Sequence, residues 1–135
     1  MITRFFLYGF TGHLMEIIFT GISSLYLKGD TRLTGQTFLW MFPIYASAVW
    51  LEPVHDSIRF LPILIRGGIY LVLIWGVEFI AGWAIKKMIG KCPWDYSETT
   101  NHSLCGYIRW DFAPCWFMVG LLFEKYHDFL VKIFP

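Results

Sequence analysis

The sequence predicts an all-α integral membrane protein, a bundle of four transmembrane helices with an aromatic interfacial loop between helices 3 and 4. Three observations predict it. Hydrophobic residues fill 56% of the 135 positions and charged ones only 16%, against roughly 45–50% and 25% in ordinary soluble domains. The chain carries 7 Trp, 7 Tyr and 13 Phe, rings that suit both hydrocarbon and the wet layer beside it. Apolar windows recur at the length of a bilayer crossing, about 20 residues at 1.5 Å rise each.

The first window, Phe5 to Leu27, is interrupted by His13 and Glu16 and stops at the turn-rich Lys28-Gly29-Asp30-Thr31-Arg32. The second, Phe38 to Val54, is short and carries Pro43 and Pro53, which admits a kinked or partly re-entrant helix. Ile63 to Ile85 is the densest window and ends at Lys86-Lys87, whose ammonium groups can reach the interface. The fourth covers about residues 111–130, dense to Phe123 and then amphipathic over EKYHDFLVKIF, so its end is expected at the membrane surface. These spans make a single transmembrane domain over residues 1–135. The first window contains Glu16 and lacks an Ala-x-Ala-like cleavage site, so it is expected to be retained rather than removed as a signal. Lys and Arg number five on one side of the spans and six on the other, which leaves orientation open.

Net charge is +1, and no basic run of five or more residues occurs, which excludes the electrostatic footprint of nucleic-acid binding. Three cysteines at long spacings argue against a disulfide-built framework, although a Cys92–Cys105 bridge stays open. No G-x-S-x-G, H-E-x-x-H, P-loop or Rossmann glycine pattern is present, so no cofactor is expected and an enzyme stays only an alternative. Any ATP-driven role needs a separate motor subunit. The expected partners are membrane lipids and a second copy or other membrane subunits, because four short helices barely enclose a pathway.

A carboxylate at mid-bilayer costs on the order of 2.5–3.5 kcal/mol, so an acid inside a span faces protein or water and has a partner. Glu16 lies about 17 Å along the first span and Glu78 about 22 Å along the third, which runs in the same direction. Both carboxyls are therefore expected at comparable depth, in one polar site that His13 and Tyr45 join. Gly9, Gly12, His13 and Glu16 share one helical face, with small residues that admit a close neighbour. Two readings are open. Each acid ties helices together by hydrogen bonds, or the two act as a coupled pair that handles a proton, a cation or a polar substrate. The spacing of His13 and Glu16 also suits a metal. Yet His55, His102 and His127 fall near span ends or in loops, where solvated histidines are expected, and no metal site is predicted.

The segment from Gly90 to Trp116 mixes polar residues with rings and is expected at the interface. Trp94, Tyr96, Tyr107 and Trp110 would anchor it, while Asp95 and Ser97 turn the backbone through side-chain oxygens. Asp95 is either part of a simple turn or part of the mouth of the polar site. Asn101-His102-Ser103 fits the glycosylation pattern only if this loop is luminal.

Gly9-x-x-Gly12-x-x-x-Glu16, Pro43-Ile44-Tyr45, Glu78-x-x-x-Gly82-Trp83, Cys92-Pro93-Trp94-Asp95-Tyr96-Ser97 and Gly106-Tyr107-Ile108 together resemble the family labelled "Putative ABC-transporter type IV". The Cys-Pro-Trp-Asp-Tyr-Ser form looks closer to its vertebrate branch of small multi-pass proteins. Ala46-Ser47 and Asn101–Cys105 depart from the Gly-rich and Asn-rich stretches of bacterial members. The resemblance implies a permease-like component. A membrane-embedded structural or adaptor protein and an intramembrane lipid-modifying enzyme are the alternatives.

Overall fold

The computed structural model describes residues 1–98 and 100–134 and is mostly helical. The first apolar window becomes α1 (Ile2–Lys28), closed by Gly29 in the left-handed conformation at φ 66°, whose N–H reaches the Leu25 carbonyl. Glycine tolerates that φ without a Cβ clash, which is why the helix stops there. The third becomes α4 (Ile63–Ile89), ended in the same way by Gly90 at φ 85°. Among the described residues, α1 and α4 are the two helices long and apolar enough to cross a membrane.

The second window does not form one crossing helix. It breaks into α2 (Met41–Ala46), a 3-10 turn at Ser47–Leu51 and α3 (Glu52–Ile58). Pro53 has no N–H to offer the Val49 carbonyl four residues back, and its ring crowds that position, so a regular α-helix cannot run through. The fourth window forms α5 (Ala113–Ile133), preceded by a 3-10 turn at Trp110–Phe112. Glu124, Lys125, Asp128 and Lys132 fall within its 21 residues and keep it out of the class of α1 and α4. The structure also departs from all-α in one detail. An antiparallel ladder of β1 (Ser103–Leu104) and β2 (Ile108–Arg109) pairs Ser103 with Arg109 and Leu104 with Ile108.

The chain divides into two compact units, Met1–Leu51 and Glu52–Ile133. In the first, α2 lies against α1 where glycines remove the side-chain layer. A Cβ at Gly9 would stand 2.7 Å from the Phe42 ring, and one at Gly12 would stand 2.3 Å from Tyr45 Cγ. The connection after α1 is fastened by Thr20, whose hydroxyl donates to the Gln36 carbonyl and accepts from the Gln36 N–H. In the second unit α4 and α5 pack through Gly67 against Phe117 and Gly120 against Tyr70, which is fully buried.

Gly120→Ala would bring a methyl to within 2.3 Å of Tyr70 Cβ. It is expected to destabilise the second unit by about 1–3 kcal/mol, the usual cost of overpacking. Gly76→Ala, with open space around it, is expected to be neutral or to stabilise by up to about 1 kcal/mol. Thermal unfolding of the two variants in detergent checks the contrast.

Candidate functional site

Glu16 is half-buried on α1. Its Oε2 accepts the Thr37 hydroxyl at 2.6 Å and the Tyr45 hydroxyl at 2.9 Å. Gly12, one turn earlier, lets the Tyr45 ring lie flat enough on α1 for its hydroxyl to reach that oxygen. His13 meets Tyr45 and Phe42 edge-on, with ring centroids 6.2 and 5.8 Å away. Its Nδ1 is enclosed and makes no hydrogen bond among the described residues. Glu16, His13 and Tyr45 therefore form one cluster, joined by Thr37, which the sequence alone did not single out.

Glu78 belongs to the second unit. It is 6% exposed on the α4 face that carries Trp75, Phe79 and Gly82. Residues 92–94 and 107–110 fold onto that face. Tyr107 covers Gly82 and meets Phe79 at 5.3 Å, Trp110 meets Trp75 edge-on at 4.9 Å, and Cys92, Tyr107 and Ile108 form a small core. Burial pushes the Cys92 thiol above its usual range. Cys92, Cys105 and Cys115 are all free thiols.

Trp94 donates its indole N–H to the Tyr107 carbonyl at 3.3 Å. The Asp95 carboxylate takes the Ser97 hydroxyl at 2.5 Å and the Ser97 N–H at 2.9 Å, and these donors hold its carboxyl below the ordinary range. The Tyr107 N–H closes a turn on the Leu104 carbonyl, in which Cys105 and Gly106 have φ of 53° and 76°, and the Tyr96 N–H reaches the Gly106 carbonyl from outside it. Positive φ at both central positions is the type I′ signature of tight hairpins. Asp95 and Ser97 thus brace a hairpin rather than stand alone.

The densest polar cluster lies elsewhere, on α3, α4 and α5. Arg66 grips Glu124 with two bonds, Nε–Oε1 at 2.7 Å and Nη2–Oε2 at 2.9 Å, and also donates to the Leu61 carbonyl. His55 and His127 are 2% and 3% exposed, which corrects the expectation that both are solvated. Only His102 among the three is exposed. The reason is the glycine contact of α5 with Tyr70, which draws the polar second half of α5 into the packing beside α3. His55 Nδ1 lies 2.9 Å from the Tyr70 hydroxyl and 3.6 Å from Glu124, and its Nε2 lies 3.5 Å from Asp128 Oδ1. His127 lies 3.5 Å from Glu52 and 3.9 Å from Asp56. Arg59 bridges Asp56 at 3.0 Å and Asp128 at 2.6 Å.

A signal for this cluster was present in the sequence. Glu52-x-x-His55-Asp56 and Glu124-x-x-His127-Asp128 are the same pattern twice, and each histidine faces the acids of the other copy. Ligand atoms of His55, His127 and Asp128 all lie within 4.8 Å of one another.

Arg66→Ala leaves the buried Glu124 without its fork, and removing one member of such a pair strands the other charge. Arg66→Lys keeps the charge but cannot make two parallel bonds. Both variants are expected to lower the melting temperature, Ala more than Lys, as followed by circular dichroism.

The sequence profile of the family described as "Putative ABC-transporter type IV" matches residues 3–134, a stretch that includes Glu16, Glu78 and the 94–97 turn. No solved structure matches the chain. With the profile spanning nearly its full length, the chain belongs to the Putative ABC-transporter type IV family.

Proposed function

We propose that this is a multi-pass membrane protein acting as a small permease-type component, in which Glu16 binds and releases a proton or small cation. The observation that carries the reading is the setting of Glu16. It lies inside a helix of membrane-crossing length and apolarity, and one carboxylate oxygen receives two hydroxyl donors. An acid kept at such a depth is costly and by default functional. Hydroxyls both donate and accept, so Thr37 and Tyr45 can turn a lone pair toward a cation that engages the carboxylate. Family membership agrees with transport and does not name the cargo. Within the second unit, Glu78 is read as a further intramembrane carboxyl, with the Trp94-Asp95-Tyr96-Ser97 loop as its cover at the interface. The working unit is a homo-oligomer or a complex with other membrane subunits, surrounded by lipid.

A structural role is favoured by one fact, that the Glu16 bonds fasten neighbouring segments of a single unit. Flux decides between the two. Purified protein in liposomes is expected to pass protons or sodium under an imposed gradient above protein-free vesicles. Glu16→Gln is expected to cut that flux at least about tenfold, equivalent to about 1.4 kcal/mol. The melting temperature should change little, because Gln still accepts a hydroxyl hydrogen. Undiminished flux in the Gln variant would assign Glu16 to fastening alone.

A further inference from the structure

The geometry points to a site for one divalent first-row transition ion between α3 and α5, with His55 Nε2, Asp128 and His127 as ligands and Asp56 beside them. This inference concerns the second unit only and stands apart from the role of Glu16.

The placement of the buried His55 ring beside His127 and Asp128 carries it. His55 Nδ1 lies 2.9 Å from the Tyr70 hydroxyl, a contact that occupies this ring nitrogen and leaves Nε2 to face α5. A neutral imidazole with hydrogen on Nδ1 has a bare lone pair on Nε2. That Nε2 is buried, makes no hydrogen bond among the described residues and lies 3.5 Å from Asp128 Oδ1. A buried ring nitrogen without a hydrogen-bond partner is costly, and an ion held between it and the Asp128 carboxylate, which also takes Arg59, would supply that partner. Their separation is too long for an N–H···O bond. It matches the roughly 3.3–3.5 Å between neighbouring ligand atoms of a tetrahedral ion with bonds of about 2.0–2.2 Å.

Two further features agree. The cluster holds four carboxylates, Glu52, Asp56, Glu124 and Asp128, against two guanidiniums, Arg59 and Arg66, which leaves two negative charges for a divalent cation to neutralise. Imidazole with carboxylate is the donor set that suits zinc, iron, cobalt and manganese, and paired Glu-x-x-His helices build such sites in bundle proteins. The hydrogen bond between Tyr70 and His55 is the outer support that fixes a ligating ring. Arg59 binds the same Asp128 oxygen and is half-exposed, so on loading it shares that oxygen or swings outward.

The test uses the full chain in detergent, stripped with a chelator. Zinc is titrated against a chromogenic competitor, and cobalt is followed by its visible absorption. About one ion per chain is expected. His127→Gln and Asp128→Asn are each expected to weaken binding by on the order of 10–100-fold or more, whereas His102→Gln, on an exposed histidine, leaves it unchanged. Zinc-edge X-ray absorption of the wild-type chain needs no variant, and imidazole scattering in an all-N/O shell supports the site. A folded wild-type chain that takes up no ion at micromolar concentration, binding that survives both ligand substitutions, or a sulfur-containing shell overturns it.

Discussion

Charge withdrawn from water inside an apolar helical chain must be met by donors fixed in advance, and the Arg66–Glu124 fork is where the second unit meets that demand. One guanidinium joins α4 to α5 with two short bonds and a third to the Leu61 carbonyl just before α4. Beside the held Glu124 stands His55, whose Nδ1 lies 3.6 Å from its Oε1 and 2.9 Å from the Tyr70 hydroxyl. The order runs from the strongest pair outward, so the setting of a buried imidazole depends on the ion pair beside it. A planar, always-charged fork does this better than a flexible ammonium, because two parallel bonds fix direction as well as distance.

The two units solve the same problem with different chemistry. Glu16 is met by neutral hydroxyls from Thr37 and Tyr45, donors that are able to rotate. Glu124 is met by a cation and stays anchored. A carboxylate that must change state suits the first arrangement, and one that must keep a framework in place suits the second. Buried ion pairs often add little net stability yet are expensive to break, which fits an element whose task is to hold others in register.

Much of this was legible in the residues. The apolar windows place α1 and α4, the turn-rich stretch with Gly29 marks the end of α1 while α4 runs four residues past the Ile85 limit to Ile89, and the Gly9–Gly12 face predicts a close neighbour beside Glu16. The break of residues 41–58 was visible in Pro53 only as a choice between a kink and a re-entrant turn, because proline marks where a helix fails but not which shape the chain takes next. The hairpin at residues 103–109 was hidden. Its signal is Cys105-Gly106, and Cys is not a residue that usually marks positive φ. The buried histidines were hidden for another reason. Periodicity reports how apolar a face is, and charged residues compensated across two helices read as a solvated surface until the partner helix is known.

One contact in the 94–107 segment reaches beyond this chain. A Cβ at Gly106 would stand 2.3 Å from Asp95 Oδ1, at a φ that side chains resist, while that same oxygen holds Ser97. Positions 95, 97 and 106 are thus bound by one steric and one hydrogen-bonding condition. In related chains they should drift in concert, an acid or its amide at 95 keeping a hydroxyl at 97 and a bare backbone at 106, and a change at one should travel with a change at the others.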